Sequence, residues 1–164
     1  MTGFEDFLLA AGTIGVGATL VMDLWALFLS KAFNIPSLNY AMVGRWIGHI
    51  PRGRIVHTNI SDALPVSSEH ALGWAAHYAI GVLFAGLLIF IWGINWTVTP
   101  TPIPALAIGL GTLAAPFFVL QPGMGAGIAA SKTPAPNIAR LRSLSAHMSF
   151  GAGLYLSALV YSRL

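Results

Sequence analysis

Four long apolar stretches alternate with short polar segments along the chain. Residues 7–28, 71–94, 103–130 and 143–162 each reach the roughly 20 apolar residues that a helix needs to cross a bilayer. Their only formal charge is Asp23, and their only imidazoles are His77 and His147. Pro116 and Pro122 interrupt the third stretch. The pattern predicts an all-α fold: a single domain over 1–164, a polytopic integral membrane protein built as a four-transmembrane-helix bundle.

The first loop, 31–68, is the only sizeable segment outside the spans. Ser37 follows Pro36 and is expected to cap a helix running to about Ile50. Leu38, Met42, Trp46 and Ile50 repeat every four residues, and Tyr40 and Trp46 suit an interface. The segment therefore reads as a short interfacial helix on the cytoplasmic leaflet. Pro51-Arg52-Gly53-Arg54 would end it in a basic turn, leaving Arg45, Arg52 and Arg54 to meet lipid headgroups or phosphate. Residues 57–68 read as irregular loop. Ser67 or Ser68 would cap the second span, with Glu69 in its first turn.

Composition removes the alternatives to a membrane protein. Hydrophobic residues make up 56% of the chain and charged residues 8%, against about 25% charged in soluble domains. So few charges cannot cover a water-facing surface, and disorder needs the opposite balance. Mean hydropathy is +0.76. With no cysteine, disulfides and thiolate chemistry are absent. The basic excess reads as topology rather than a nucleic-acid footprint, because the first and third loops hold seven of the eight Lys and Arg. Both termini are then expected on the non-cytoplasmic side. The start, Met1 to Asp6, lacks the basic region of a signal peptide, so the first span is expected to be retained. Trp92 and Trp96 mark the outer interface.

An Asp at mid-helix costs at least about 2.5 kcal/mol on insertion scales, so its presence needs a reason. Counted inward from the flanking charges, Asp23, His77 and His147 all lie roughly 10–12 Å inside the cytoplasmic ends of their helices. Gln121 and Met124 reach a similar depth. Rows of residues four apart share a helix face. Gly15, Thr19 and Asp23 form one row; Glu69, Gly73, His77 and Gly81 a second; Ser143, His147, Gly151 and Tyr155 a third. Small residues let helices approach closely, so these rows are expected to face inward and gather the polar groups in one layer. Gly123 and Gly127 form a further small patch. The plainer reading is that these polar groups only fix helix register. His49, His57 and His70 are expected to be solvated. Gly86, Gly109 and Gly111, outside the rows, are expected to serve self-association. The run Pro116 to Gly123 frees backbone carbonyls, either as an ordinary proline kink or as a broken helix of the transporter kind.

The runs Gly17-Ala18-Thr19-Leu20-Val21-Met22-Asp23-Leu24-Trp25, Val43-Gly44-Arg45-Trp46-Ile47-Gly48-His49, Pro116-Phe117-Phe118-Val119-Leu120-Gln121-Pro122-Gly123-Met124-Gly125 and Ala139-Arg140-Leu141-Arg142-Ser143-Leu144 are distinctive. Together they resemble a family of small bacterial inner-membrane proteins catalogued as a domain of unknown function. The resemblance covers most of the chain. It implies a four-helix protein of the bacterial inner membrane and carries over no activity, ligand or catalytic residue.

No GxGxxG, Walker, HExxH or GxSxG pattern is present, which speaks against an enzyme. The leading expectation is a small transporter or channel for a proton, cation or small molecule. Asp23 would titrate or bind the cation, and His77 and His147 would relay or coordinate. Gln121 and Thr19 would line the path, and Glu69 would stand at its cytoplasmic mouth. The second expectation is a redox protein whose His77 and His147 ligate a haem, or, with Asp23, a metal ion. The third is an accessory subunit of a larger membrane complex. Expected partners are membrane lipids and either a second copy of the chain or such a complex, with no nucleic acid.

Overall fold

The computed structural model describes residues 3–164, and every regular element among them is helical. Met1 and Thr2, where the N-terminal segment read above begins, lie outside the described residues. Five helices lie among the described residues: α1 (Gly3–Phe33), α2 (Tyr40–His49), α3 (Glu69–Trp92), α4 (Pro102–Gly123) and α5 (Pro136–Tyr161). Three of them, α1, α3 and α4, are long and apolar enough to cross a membrane. The fourth apolar stretch lies within α5, whose 26 residues would extend about 39 Å. Ser143, Ser145, Ser149, Ser157 and His147 dilute its apolar content, so α5 is not among those three.

The helix ends follow local chemistry. Glu5 and Asp6 in the first turn of α1 and Lys31 in its last complement the helix dipole. Asn34 then turns left-handed (φ 55°) ahead of Pro36. The start of α2 differs from the expectation: Asn39 is the cap, accepting from the Ala41 amide at 3.0 Å, so Ser37 stays outside the helix. At the start of α3 the Glu69 carboxylate reaches back and accepts from the Val66 amide at 3.0 Å.

The end of α4 also departs from the sequence reading. Pro116 and Pro122 have no N–H to return to the preceding turn, so the helix widens to a π-turn over Pro116–Leu120, closed by the Gln121 amide on the Pro116 carbonyl. It stops at Gly123 instead of running to Ala130. Gly125 follows with φ 95° and lies so close to the Thr58 carbonyl that a Cβ would collide with it. The carbonyls of Gly123 and Met124 accept from the His57 and Ile60 amides at 2.9 and 3.0 Å. The carbonyls exposed after Pro122 are thus taken up by the first loop. Arg140 and Arg142, read above as loop residues, lie in the early turns of α5.

The described residues form two compact units. The first comprises residues 3–37, Tyr78–Thr112 and Ser145–Leu164. Its core is made of small side chains (Ala10, Ala11, Ala18, Ala85, Ala105 and Ala158) between Ile14, Leu88 and Leu154. Backbones meet closely there: a Cβ on Gly15 would lie 2.5 Å from the Val82 Cα, and one on Gly109 2.7 Å from the Gly151 Cα. The Gly15 and Gly151 rows thus face inward as expected. Gly109 and Gly86, expected to be free for self-association, are instead covered by Gly151 and by Phe7, while Gly111 faces open space. The outer faces are apolar, with Phe90 81% and Leu83 69% exposed, whereas Thr19 is 1% exposed.

The second unit comprises Leu38–His77 and Leu113–Leu144. In it α2 crosses the first turns of α3 with no side chain between the backbones. A Cβ on Gly44 would overlap the Glu69 carbonyl, and one on Gly73 the Tyr40 carbonyl. Trp46 packs over Gly123 and donates its indole N–H to the Ile55 carbonyl at 2.8 Å.

Candidate functional site

In the first unit Asp23 sits two-thirds of the way along α1, half-buried, and its Oδ2 accepts the Tyr78 hydroxyl at 2.9 Å. A charge-assisted hydrogen bond of this kind offsets part of the cost of a carboxylate in apolar surroundings. Two residues along α1, Trp25 donates its indole N–H to Ser145 Oγ at 2.8 Å. Thr19, expected to line a path, is buried and returns its hydroxyl to the Gly15 carbonyl at 2.8 Å, against Gly81. His147 Nδ1 lies 2.9 Å from Thr112 Oγ1. The Thr112 hydroxyl has one hydrogen and donates it to the Gly109 carbonyl at 2.8 Å, so His147 Nδ1 carries the proton in their bond.

In the second unit His77 Nε2 lies 3.0 Å from the Tyr40 hydroxyl, with the two rings 4.3 Å apart and the Trp74 ring tilted against Tyr40 and edge-on to His77. Gln121 donates its amide to Ser143 Oγ at 3.2 Å, and its buried Oε1 has no partner. The residues expected in one layer thus include the hydrogen-bonded pairs Asp23–Tyr78 and His147–Thr112 in the first unit, and His77–Tyr40 and Gln121–Ser143 in the second. Tyr78 and Thr112 were missed by sequence reasoning. The one available signal was a hydroxyl on an otherwise apolar helix. Nothing in the sequence said which carboxylate or imidazole it would meet.

Arg45 departs furthest from expectation. Read above among the lipid or phosphate contacts, it is 9% exposed and grips Glu69 with both branches, Nε to Oε2 at 2.9 Å and Nη2 to Oε1 at 2.8 Å. Its Nη1 donates to the Ser61 and Ala63 carbonyls at 3.2 and 3.1 Å. A planar guanidinium fits a carboxylate bidentately in this way, and here it also closes the loop over α2. Glu69 precedes the apolar run that begins at Ala71. Arg45 and the Val66 amide hold its carboxyl down to about 2, and Glu69 in turn raises Arg45 further. Glu69 is thus the ion-pair partner of Arg45. Arg52 and Arg54 remain exposed.

Of the three histidines expected to be solvated, His49 and His57 are not. His70 is exposed, as expected, and lies at 3.3 Å from the Trp74 indole N–H. His49 is 2% exposed, and its ring meets that of His57 edge-on with centroids 5.2 Å apart. Among the described residues no group of three or more His, Cys, Asp or Glu is gathered as metal ligands.

A family model described as "Protein of unknown function (DUF2938)" matches residues 13–161. No curated protein and no solved structure matches the chain.

Proposed function

The chain belongs to that family of unknown function, and from this premise we propose that it is a small transporter or channel for a proton, cation or small molecule, with Asp23 as its titrating or cation-binding group. One observation supports this most: an acidic side chain deep in a 31-residue apolar helix, hydrogen-bonded to the Tyr78 hydroxyl. A register-fixing hydrogen bond between membrane helices contributes only about 0.6 kcal/mol on average, a small return on the cost of an Asp at that depth. Tyr78 keeps the carboxylate oriented, and His147 and His77, each hydrogen-bonded to a hydroxyl, are the further proton-handling groups.

The same reading takes α5 as a fourth crossing, in the inner membrane of a bacterium. The apolar outer faces and the buried threonines of the first unit support a lipid surrounding. The crowding of Lys and Arg into the first and third loops supports non-cytoplasmic termini. Reporter tags at both ends are expected on the non-cytoplasmic side and one near Arg52 in the cytoplasm. An N-terminal tag reporting from the cytoplasm would reject this orientation.

The functional test is a pH-sensitive dye trapped in proteoliposomes. Asn at position 23 still accepts the Tyr78 hydroxyl, so Asp23→Asn is expected to keep yield and helix content while abolishing proton or ion flux. His147→Gln and His77→Gln are expected to weaken that flux, because a glutamine amide cannot take up and release the proton as an imidazole does. Equal traces from wild type and Asp23→Asn, both above empty vesicles, would remove Asp23 from the mechanism. Absence of flux from every sample would reject transport.

A further inference from the structure

We propose that the turn after α2, residues 50–56, docks on anionic phospholipid headgroups, independently of Asp23 and of any flux. Every residue from Ile50 to Val56 is exposed, and aliphatic side chains flank two arginines there. Ile55 and Val56 are 58% and 72% exposed. Among the described residues, neither Arg52 nor Arg54 has a side-chain hydrogen bond or an ion pair. The turn is nevertheless fixed. Gly53, with φ 74°, returns its amide to the Ile50 carbonyl at 2.9 Å, and the Arg54 amide reaches the His49 carbonyl at 3.2 Å. The Ile55 carbonyl accepts the Trp46 indole N–H at 2.8 Å. A surface already ordered loses little freedom when a partner covers it.

The charge of the second unit matches an anionic partner. Leu38–His77 and Leu113–Leu144 hold six Lys and Arg against Asp62 and Glu69, a net +4. The rest of the chain holds Lys31 and Arg163 against Glu5, Asp6 and Asp23, a net −1. The basic excess is thus confined to one unit. Within it Arg45 is spent on Glu69, and Trp46 lies over Gly123. The membrane contact expected of α2 therefore passes to the turn that follows it.

A bilayer surface suits both halves of the pattern. Guanidiniums meet phosphate oxygens bidentately, while aliphatic side chains enter the boundary between headgroups and acyl chains. The loop is tethered at both ends, to α1 and α3, helices long and apolar enough to cross a membrane, so a lipid surface is always within its reach. An anionic leaflet strengthens attachment by about fivefold for each basic residue close to it.

The chain has no cysteine, so Val56→Cys gives a unique attachment point for a fluorophore. The labelled full chain is placed in vesicles of phosphatidylcholine with a minor share of phosphatidylglycerol. A nitroxide quencher is carried near the headgroup of one lipid or the other. At equal mole fraction, quencher on phosphatidylglycerol is expected to act several times more strongly. Arg52→Gln and Arg54→Gln change exposed side chains and should keep the fold. Each should lower the preference by up to about fivefold, and together they should erase it. Salt at about 1 M, which screens charges beyond about 3 Å, should erase it too. A label at Val98→Cys, on the α3–α4 connection without Lys or Arg, should be quenched equally by both lipids. Equal quenching of the Val56 label by both lipids would overturn the proposal. So would quenching by neither, the result expected if the turn faces water or a soluble acidic partner. A preference kept by the double variant would assign it to the third-loop cations and overturn it as well. Inorganic phosphate at constant ionic strength should change nothing; if it abolished the preference, the turn would be a free-phosphate site and not a lipid one.

Discussion

Gly44→Ala is expected to cost about 1–3 kcal/mol or more, the range for forcing atoms into a packed interface, and to release α2 from α3. The added methyl would overlap the Glu69 carbonyl and press on the Gly73 amide nitrogen, which are backbone atoms of a helix and cannot rotate aside. The two helices must therefore separate. Separation would also pull Arg45 away from Glu69 and Tyr40 away from His77, since both contacts depend on the same crossing. Hydrogen exchange in detergent should show residues 41–49 losing protection while the middle of α1 keeps its own. Gly12→Ala is the control. Nothing lies within 4 Å of a Cβ there, so an interior helix glycine replaced by alanine should be neutral or gain up to about 1 kcal/mol. Similar melting temperatures for Gly44→Ala and wild type would mean that this crossing does not hold α2 in place.

The second large effect is expected at the ion pair that the crossing creates. The Arg45 and Glu69 side chains are 11% and 18% exposed, and Arg45 spends every branch on Glu69 or on loop carbonyls. Glu69→Gln leaves that guanidinium without its counter-charge, and removing one partner of such a pair is far more damaging than never having built it. The same bridge sets an acid limit. Glu69 is held down to about 2 from an ordinary 4.5, so folding favours its charged form. Its stabilising contribution is therefore whole above about pH 4.5 and fades as pH falls through about 2. Wild type should lose exchange protection in 41–49 and in the loop near Ser61 across that window. Glu69→Gln should show the looser state at neutral pH with no further acid step in that window. A double Arg45→Met, Glu69→Gln variant should lose less than the two single losses combined, because the pair acts as one. An acid step of wild-type size in Glu69→Gln would assign it to another carboxylate.

How much of this was legible in the sequence depended on the range of the interaction. The three helices long and apolar enough to cross a membrane coincide with three of the four apolar runs, because hydrophobicity over 20 residues is a local property. The inward-facing Gly15 and Gly151 rows were visible as four-residue spacing. The cap of α2 was a local contest between Ser37 and Asn39, which side-chain geometry settled for Asn39. The expected length of α4 failed for a different reason. Its end depends on Gly125 lying against Thr58 and on loop amides reaching the Gly123 and Met124 carbonyls, residues some 65 positions away in the chain.

The sequence by itself determined the chemical character of the chain: helical, apolar, without cysteine, and with one acidic residue inside a long apolar helix. Only the tertiary structure decided partners. Arg45 looked like a lipid contact because a lone basic residue near an interface usually is one, and the crossing at Gly44 and Gly73 instead delivered it to Glu69. His49 and His57 looked solvated because histidine in a loop usually is, and the loop's return over α2 buried them together. Asp23 met Tyr78 only because α1 and α3 pack through glycines that leave their backbones nearly touching. Composition and periodicity report a residue's preference for water or lipid. Which donor faces which acceptor is set by backbone crossings, and those are non-local.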